Sequence, residues 1–599
     1  MSFEKRARFV DMLSIYREAT SRFGSRPLFG IKQEGQWHWM SYDSFHGTVE
    51  MLRSALCERG LERGDRVACI SNNRPEWAAA AYATYGFGGV FVPMYETQLA
   101  KDWKYILKNC AAKAVFVANH KIAEAVAGFR SELPDLKCVV CLNSCADVSG
   151  CVEFDSFLLE GKNKTHAMLR VDPEESCTFI YTSGTTGTPK GVMLSHRNIA
   201  CNVSACIEVF PVSESDRSLS FLPWAHAFGQ TVELHSLFAQ GASMGIAESV
   251  DQIVTNLGEV KPTLLFSVPR IFNRIYAALH KKLENEKWIK KRLFELAIEN
   301  EVARKKLAQD GRSSMVLDSA HRFFDRVVFS KVRERFGGQL RYAFSGGAAI
   351  SKEVAEFIDN LGITVYEGYG LTETSPVATA NRPGARKIGS VGQAVPGVSI
   401  TIDSSKVSDE GQGEVVIHGH CVMQGYYGLD EENAKVFTKD GGFRSGDMGY
   451  LDEDGFLYLT GRIKEQYKLE NGKYVSPGPL EEELKLSPYI LNAMVYGENR
   501  PYNVALIVAD LGAVCDWAKK QGLVVSGGSE LLEQDEVRQL FEKEIAAHAA
   551  VFKAFEKIRK FALVAEDFTT ENGMLTPTLK IKRRVVLARY GDVLNALYG

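Results

Sequence analysis

A short segment that could hold a polyphosphate offers the clearest chemistry in this chain. Residues 181–191 read YTSGTTGTPKG and follow an apolar run at 177–181 that is typical of a buried strand. Glycines let backbone N–H groups approach phosphate oxygens, and the hydroxyl groups and Lys190 add donors and a positive charge. The spacing differs from that of the P-loop. A Ser/Thr/Gly run is often only a flexible turn, but its position directly after an apolar strand favours phosphate binding.

Two further segments could bind a nucleotide. SGGAA at 345–349 follows a strand-like run, and small residues at a strand end let a flat ring lie against the backbone. YEGYGLTET at 366–374 offers an aromatic face in Tyr369, a hydroxyl in Thr372 and a carboxylate in Glu373. A base could stack on the ring, the hydroxyl could contact a phosphate, and the carboxylate could ligate Mg²⁺. Taken alone, each segment could also be an ordinary turn or polar loop.

Two segments nearer the C-terminus add a carboxylate and two cations. FRSGDM at 443–448 contains Asp447, which could accept hydrogen bonds from a ribose diol with help from Arg462. LTPTLKIKRR at 575–584 contains Lys580 among alternating apolar residues. By themselves, Ser-Gly-Asp is a common turn and a basic run is usually a solvated face.

The elements that must position these residues follow an α/β pattern. Strand-like runs such as 66–70 and 114–118 alternate with helical runs through the first two thirds of the chain, which predicts α/β layers. Residues 271–340 lack proline and are rich in Lys, Arg, Glu, Leu and Phe, which predicts a helical insertion. The pattern becomes β-rich from Ser399, and we place a domain boundary near 462–464.

Length and charge restrict the class of protein. A chain of 599 residues is expected to form two or more domains. Its net charge of −3 gives no bulk electrostatic reason to bind nucleic acid, so we predict no nucleic-acid partner. We find no signal core near the first residues and no retention or peroxisomal address at the last ones, which predicts a soluble cytoplasmic protein. The uncharged run 77–95 contains three glycines and a proline, so we interpret it as a buried helix and a strand.

The 12 cysteines are mostly scattered in apolar runs, as reduced core cysteines would be. Cys138, Cys141, Cys145 and Cys151 cluster, which raises the question of zinc. Cys138 and Cys141 lie three apart on a strand-like run and should therefore face opposite sides of a sheet. That geometry is poor for shared ligation, so we favour structural cysteines over a zinc site.

Together and in this order, the five segments resemble the adenylate-forming superfamily, which includes acyl-CoA synthetases, peptide-synthetase adenylation domains and firefly-type luciferases. The resemblance covers nearly the whole chain. It implies a large N-terminal domain with two α/β sheets and a β-barrel-like part, and a small mobile α+β C-terminal domain. The domains would span 1–461 and 465–599, with 462–464 as the hinge.

Other segments resemble the long-chain fatty acyl-CoA synthetase branch, among them NRPEW at 73–77, VPRIF at 268–272 and GRIKE at 461–465. The sequence FRSGD departs mildly from the family's usual W-x-T-G-D but keeps the aspartate. By this resemblance, a fatty acid carboxylate attacks the α-phosphate of ATP to give an acyl adenylate and pyrophosphate. The thiol of coenzyme A then expels AMP. Both steps mainly need charge stabilisation.

The resemblance also assigns roles residue by residue. The β- and γ-phosphates would contact Thr182, Ser183, Gly184, Thr185, Thr186 and Lys190. Adenine would lie near Gly346, Gly347, Ala348 and Tyr369. Thr372 would touch the α-phosphate, Glu373 would hold Mg²⁺, and Asp447 and Arg462 would hold the ribose.

Three further roles complete the set. Lys580 would bridge the substrate carboxylate and the α-phosphate; otherwise it is one more surface lysine. His226, within FLPWAHAFG at 221–229, would lie near the carboxylate and the coenzyme A tunnel, although a lone histidine is more often structural. Trp224 and Phe228 beside it either line the acyl pocket or are plain core aromatics. Lys464 would be the hinge about which the small domain rotates.

Two other functions stay open at this point. A fatty acyl-AMP ligase would share the adenylation residues but pass its adenylate to a carrier protein. A non-catalytic acyl-lipid binding protein would not need Lys190, Glu373, Asp447 and Lys580. Residues 280–294 also combine basic side chains with Trp288 and Ile289, which suggests either peripheral membrane contact or a solvated helix packed on its domain.

Overall fold

The computed structural model describes residues 3–145, 147–183, 188–284, 286–406, 411–523, 528–576 and 579–599. Gly184, Thr185 and Thr186 of the predicted phosphate loop lie outside the described residues. So do residues 577–578 of the segment that carries Lys580.

The strands form five sheets among the described residues. Those of the first half are β1 Pro27–Gln33, β2 Gln36–Ser41, β3 Arg66–Ile70, β4 Val90–Met94, β5 Ala114–Val117, β6 Cys138–Cys141, β7 Cys151–Glu153, β8 Ser176–Ser183, β9 Pro189–Ser195, β10 Arg217–Ser220, β11 Ser243–Ile246, β12 Leu264–Ser267 and β13 Tyr342–Ser345. Those of the second half are β14 Thr364–Gly370, β15 Val377–Ala380, β16 Gln393–Ala394, β17 Val398–Asp403, β18 Gly413–Gly419, β19 Gly425–Tyr426, β20 Phe443–Leu451, β21 Leu457–Arg462, β22 Tyr467–Lys468, β23 Tyr474–Val475, β24 Ile490–Tyr496, β25 Asn503–Ala509 and β26 Ile558–Val564.

The α-helices alternate with the strands over much of the chain. Up to the long insertion they are α1 Met12–Phe23, α2 Tyr42–Glu58, α3 Pro75–Gly86, α4 Ala100–Asn109, α5 His120–Gly128, α6 Phe154–Gly161, α7 His196–Val209, α8 Ser236–Ala239, α9 Ile253–Val260 and α10 Pro269–Glu284. The others are α11 Trp288–Gln309, α12 Met315–Phe324, α13 Ser330–Arg333, α14 Lys352–Asn360, α15 Asp430–Val436, α16 Pro477–Leu484, α17 Leu511–Lys520, α18 Asp535–His548 and α19 Arg583–Ala596. Two π-helical segments span Phe228–His235 and Asp325–Phe329.

An eight-stranded sheet carries the phosphate segment. Its order is β19-β9-β8-β4-β3-β5-β6-β7, and β4, β3, β5, β6 and β7 run parallel to their neighbours. The run at 77–95 lies here as α3 and β4, as its sequence predicts. Because both elements are buried on all sides, the run is uniformly apolar and lacks the periodicity of a surface helix.

A nine-stranded sheet carries the two nucleotide segments. Its order is β16-β15-β14-β13-β12-β10-β11-β1-β2, with parallel pairing from β14 through β1. The main hydrophobic core lies between this sheet and the eight-stranded one, where Phe91 and Phe116 face Phe29, Phe266 and Phe344. Both sheets therefore share one core, and the ends of β8, β13 and β14 reach one cavity.

Three smaller sheets occupy the rest of the chain, and one of them is the two-stranded pair β22-β23. The strands predicted from Ser399 onward form a four-stranded antiparallel sheet, in the order β17-β18-β20-β21, which ends at Arg462. The sheet β24-β25-β26 lies wholly beyond Lys464 and has a separate apolar cluster on each face. The mixed α/β architecture with a large first part and a smaller second part is the fold class predicted above.

Most of the described residues between 269 and 336 are helical, from α10 to a short turn that ends at Phe336. Gly337, with φ of +86°, ends this turn in the left-handed conformation that glycine tolerates best. Within the described part of the chain, none of the helices combines the length and the apolar character needed to span a bilayer.

Candidate active site

A cavity of about 1080 Å³ joins the two parts of the chain. Its wall includes the ends of β8, β13 and β14 and, from the smaller part, Glu465, Thr576, residues 580–582 and the start of α19. Ligand sites in α/β proteins commonly lie at the carboxyl ends of parallel strands. Of the predicted site residues, the cavity is lined by Thr182, Lys190, His226, Gly346, Gly347, Tyr369, Thr372, Glu373, Arg462, Lys464 and Lys580.

The described ends of the phosphate segment form a β-hairpin. Thr182 pairs with Lys190 and Ser183 pairs with Pro189 across β8 and β9. This pairing places the Lys190 side chain at the cavity directly beside the loop that joins the strands. Contact of Lys190 with the β- and γ-phosphates stays a prediction.

Lys190 contacts a carboxylate that the sequence analysis did not single out. Its Nζ atom lies 2.5 Å from Glu432 Oε2, and 5.1 Å from the centroid of the Tyr426 ring. Side-chain hydrogen bonds from Lys190 and Lys435 lower the pKa of Glu432 to about 2. Glu432 belongs to an acidic first turn of α15, a pattern that predicts only favourable charge at a helix start.

Tyr426 links the cation to the predicted metal ligand. Its hydroxyl donates to Glu373 Oε1 at 2.9 Å, while Lys190 lies over its ring. Glu373 follows the buried Thr372 in a short turn directly after β14. A carboxylate on the cavity wall beside the phosphate lysine suits Mg²⁺, which prefers oxygen ligands.

The glycines of the predicted adenine segment leave a flat surface. Gly347 has φ of +83°, and a Cβ atom at Gly346 would lie 3.3 Å from the Phe228 ring. Both glycines line the cavity directly after β13. Ala348 is not among the described residues of the cavity wall, so its contact with a base stays a prediction.

Asp447 is bound on both carboxylate oxygens. The Tyr369 hydroxyl donates to Oδ2 at 2.7 Å, and Arg462 Nε lies 2.8 Å from Oδ1. Burial, and secondarily the nearby Asp447 charge, raises the pKa of Tyr369 well above its usual value, so the phenol keeps its proton. The register of β20 and β21 creates this group by pairing Asp447 with Arg462. Base stacking on Tyr369 and ribose binding by Asp447 stay predictions.

Lys580 reaches the cavity from a tight loop. Its N–H donates to Thr576 Oγ1 at 3.0 Å, and its carbonyl accepts from the Thr576 N–H at 2.8 Å. Leu579 takes φ of +61°, so the chain turns sharply just before the lysine. Desolvation by the cavity wall, followed by the like charge of Arg462, lowers the pKa of Lys580. The carboxylates of Asp447 and Glu373 act in the opposite direction and raise this pKa. Its exposed surface faces the cavity, whose wall it helps to form.

His226 lies on the cavity wall as a neutral ring. Its Nδ1 atom accepts from the Phe228 N–H at 3.2 Å, which leaves the proton on Nε2. Burial, followed by the Lys580 charge, lowers the pKa of His226 to about 4. The ring can therefore donate one hydrogen bond to a carboxylate without carrying a charge.

The two aromatics beside His226 have different positions. Phe228 lines the cavity, whereas Trp224 is fully buried in the main core. The backbone N–H of Trp224 donates to Asn73 Oδ1 at 2.8 Å, and Asn73 Nδ2 donates to the Leu222 carbonyl at 2.7 Å. Asn73, from the NRPEW segment, therefore holds the backbone of the loop that carries the histidine.

Apolar side chains also line the cavity. Its wall contains Val209, Phe210, Val232, Phe344, Val377 and Ala380. These side chains come from α7, the π-helical segment and the nine-stranded sheet, so they continue the main core to the site. The wall of one cavity thus offers cations, carboxylates and hydrocarbon surface.

Lys464 follows the last residue of β21 in a turn. The N–H groups of Glu465 and Gln466 both donate to the Arg462 carbonyl, at 3.1 and 3.0 Å. Lys464 itself is exposed at the cavity wall. Its role as a hinge stays a prediction.

Comparison with known proteins agrees with this geometry. Residues 16–427 match the family described as AMP-binding enzyme, and residues 464–599 match the AMP-binding enzyme C-terminal domain. The long-chain-fatty-acid–CoA ligase FadD15 of Mycobacterium bovis is 33% identical over 577 residues, covering 94% of this chain and 93% of that protein. The peroxisomal long chain acyl-CoA synthetase 7 of Arabidopsis thaliana is 30% identical over 588 residues, covering 94% of this chain and 82% of that protein.

The fold is similar to that of a solved adenylation domain, from a carboxylate reductase of Mycobacterium chelonae. The TM-score is 0.78 at 21% identity, with 98% of this chain and 91% of that chain covered. The resemblance to the adenylate-forming superfamily is thus confirmed by a family match over more than half of the chain. The chain belongs to the AMP-binding enzyme family.

Proposed function

We propose that this chain is a long-chain fatty acid–CoA ligase, which uses ATP to convert a fatty acid and coenzyme A into acyl-CoA, AMP and pyrophosphate. The observation that carries the proposal is the single cavity in which Lys580, Arg462 and Glu373 stand beside a wall of hydrocarbon side chains. A triphosphate needs the charged side chains, and a long acyl chain needs the hydrocarbon side chains. The FadD15 and Arabidopsis relatives, named for this activity, support the assignment.

The first half-reaction brings two anions together. A carboxylate oxygen of the fatty acid attacks the α-phosphorus of ATP, and the bond to the β-phosphate oxygen breaks, releasing pyrophosphate. Lys580 would contact both anions, and His226 Nε2 would donate to the carboxylate; both residues line the cavity, and the bond at His226 Nδ1 leaves the proton on Nε2. Such fixed donors stabilise charge that spreads over the oxygens in the transition state.

The phosphates would lie along the hairpin of β8 and β9. Thr182 and Lys190 would contact the β- and γ-phosphates, with the backbone of Ser183 and residues 184–186 completing the set. Thr372 would contact the α-phosphate. Glu373 would hold Mg²⁺, which when bound neutralises negative charge on phosphate oxygens.

The nucleoside would occupy the other side of the charged region. Gly346 and Gly347 leave a flat surface for adenine beside Tyr369, and Asp447 with Arg462 would hold the ribose. Since Asp447 already accepts from Tyr369 and Arg462, a diol would share its oxygens with them.

In the second half-reaction, the sulfur of coenzyme A attacks the acyl carbon and the bond to AMP breaks. Lys580 has no part in this step, because the α-phosphate is no longer attacked. We infer that the small domain, 465–599, rotates about Lys464 between the two steps. The turn at 462–466, in which Lys464 is exposed, supports this role because it joins the two parts of the chain.

Product analysis tests the proposal. Purified protein with ATP and Mg²⁺ should release pyrophosphate only when a fatty acid is present, and should form acyl-CoA only when coenzyme A is added. A panel of fatty acids from short to very long then assigns the preferred chain length. Adenylate that accumulates unchanged with coenzyme A would identify an acyl-AMP ligase, and absence of pyrophosphate would identify a binding protein.

Membrane contact is a separate part of the proposal. The N-terminal end of α11 exposes Trp288 and Ile289, at 74% and 62%, beside Lys287, Lys290 and Lys291. Apolar side chains within a basic segment can insert at an anionic bilayer, into which long-chain fatty acids partition.

Liposome co-sedimentation tests this contact. We expect binding to anionic vesicles that weakens at high salt and in the double variant Lys290→Glu/Lys291→Glu. The matched control Lys305→Glu changes a lysine of the same helix that pairs with Asp359. Equal binding by wild type and the double variant would contradict the contact.

A further inference from the structure

Three thiols converge at the edge of the eight-stranded sheet. The sulfur atoms of Cys141, Cys145 and Cys151 all lie within 4.8 Å of one another, and those of Cys145 and Cys151 are 3.2 Å apart. None of the three is part of the wall of the active-site cavity as far as the structure describes it. The group therefore needs an explanation that is independent of the ligase reaction.

Strand register explains the convergence. Cys141 ends β6 and Cys151 begins β7, and these parallel strands pair Val139 with Cys151 and Cys141 with Glu153. Residues two apart on a strand share a face, so Cys141 and Cys151 point to the same side of the sheet. The connection between the strands returns over that face and adds Cys145, which is buried with Cys141 in one cluster.

Cys138 lies on the opposite face, in the core between the two large sheets. The prediction that Cys138 and Cys141 face apart is therefore confirmed. The sequence reasoning considered that pair and did not find the three that meet, because the third comes from a loop whose path the spacing does not fix.

A carboxylate holds the loop in place. Glu153 Oε1 accepts from Ser144 Oγ at 2.7 Å and from the Cys145 N–H at 3.2 Å. Two turns follow, in which the Val148 N–H donates to the Cys145 carbonyl and the Cys151 N–H donates to the Val148 carbonyl. The Cys145 sulfur is thus positioned by fixed backbone, as ligands of structural metal sites usually are.

We propose that Cys141, Cys145 and Cys151 form a structural site for a thiophilic metal ion, with Zn²⁺ as its occupant. A zinc ion binds thiolate sulfur at about 2.3 Å, so two sulfurs on one tetrahedral ion lie about 3.8 Å apart. The observed separations, 3.2 Å for Cys145 and Cys151 and up to 4.8 Å within the group, bracket this value. Each thiol gives its proton to solvent as its sulfur binds, and water supplies the fourth ligand through the partly exposed Cys151 side.

The ion would fasten the edge of the sheet. β7 is the last strand in the order and has only three residues, so few backbone hydrogen bonds hold it. Bonds from one ion to β6, the connection and β7 would tie all three together. We therefore expect a gain in stability and no change in the rate of the ligase reaction.

A metal-binding titration tests the site. Reduced protein, stripped by a chelator, is titrated with Zn²⁺ in competition with a chromophoric chelator, and with Co²⁺ to detect sulfur-to-metal charge-transfer absorption. We expect one ion per chain in the wild type and in Cys138→Ala, and none in Cys145→Ala. Glu153→Gln should keep the ion with about tenfold weaker affinity, because the carboxylate only positions a ligand.

Thermal unfolding with and without Zn²⁺ completes the experiment. The wild type and Cys138→Ala should gain stability with the ion, whereas Cys145→Ala should not. Equal Zn²⁺ binding by Cys138→Ala and Cys145→Ala, or no binding by the reduced wild type, would overturn the proposal. So would an intact mass two hydrogens lower in freshly purified protein that maps to a Cys145–Cys151 disulfide and cannot bind Zn²⁺.

Discussion

Lys580 shows how a single residue depends on its surroundings. Desolvation by the surrounding cavity wall, and secondarily the like charge of Arg462, lower its pKa, so the site raises the free energy of the charged lysine until an anion binds. A lysine so placed interacts strongly with a phosphate that reaches it. The sequence motif predicts its presence, but only the folded site shows which charges surround it.

We expect Lys580→Ala to slow adenylate formation by about 100-fold or more, because the cation acts while the α-phosphate is attacked. The same variant should convert synthetic acyl-AMP and coenzyme A into the thioester at near wild-type rate. Pyrophosphate release and thioester formation measure the two steps separately. Lys560→Ala, an exposed lysine of the same domain, is the control. Equal damage to both steps would contradict this role.

Glu432 is expected to compete with ATP for Lys190. Since the ion pair is partly exposed, its contribution is at most about 1 kcal/mol, and Glu432→Gln should lower the KM for ATP by up to about fivefold. Steady-state kinetics over a range of ATP concentrations measure this change, with the exposed neighbour Glu431→Gln as the control. A higher KM in Glu432→Gln would mean that the carboxylate orients the lysine for binding instead.

At the scale of elements, the pattern of apolar residues predicted the strands that are buried in the sheets. The strand at 66–70 is β3 residue for residue, and 114–118 differs from β5 by one residue. The π-helical segment Phe228–His235 was not predicted, because its register depends on how Gln230, Glu233 and His235 pack in the core. Glu432 and Tyr426 were missed for a related reason: Glu432 lies 242 residues from Lys190, and spacing carries no signal over that distance.

The buried π-helical segment should make stability sensitive to acid. Burial lowers the pKa of His235 to about 3, whereas an exposed histidine titrates near 6.5. The unfolded chain therefore binds a proton first, and stability is lost as pH falls from about 6.5 towards 3. We expect the Tm of the wild type to fall more steeply over this range than that of His235→Gln, which cannot titrate there. Parallel Tm curves would contradict the assignment.

The whole molecule is built from two parts that meet at one cavity. The family match of the second part begins at Lys464, which lies in the turn after β21. A rotation there would exchange the residues of the smaller part that face the larger one. The positions of the motifs in the sequence predict the two parts. The balance of charges between them depends on which side chains the fold brings together at the cavity.

Lys464→Pro is expected to separate the two half-reactions in the opposite sense to Lys580→Ala. Proline fixes φ near −65°, so the backbone could no longer change conformation at this point. Acyl adenylate and pyrophosphate should form, whereas thioester formation from adenylate and coenzyme A should be strongly slowed. Lys464→Ala, which leaves the backbone free to turn, is the control. A proline variant that forms thioester at the wild-type rate would exclude a hinge at this residue.

The wall of the cavity carries a charge opposite to that of the protein. Nine lysine and arginine side chains and six carboxylates line it, although the chain as a whole has a net charge of −3. Cations that the two parts bring to this wall repel one another, and a bound anionic nucleotide would act as a counterion between them. Under the proposed reaction, the departure of pyrophosphate removes most of that counterion. The chemistry of the first step would then itself release the smaller part for the second.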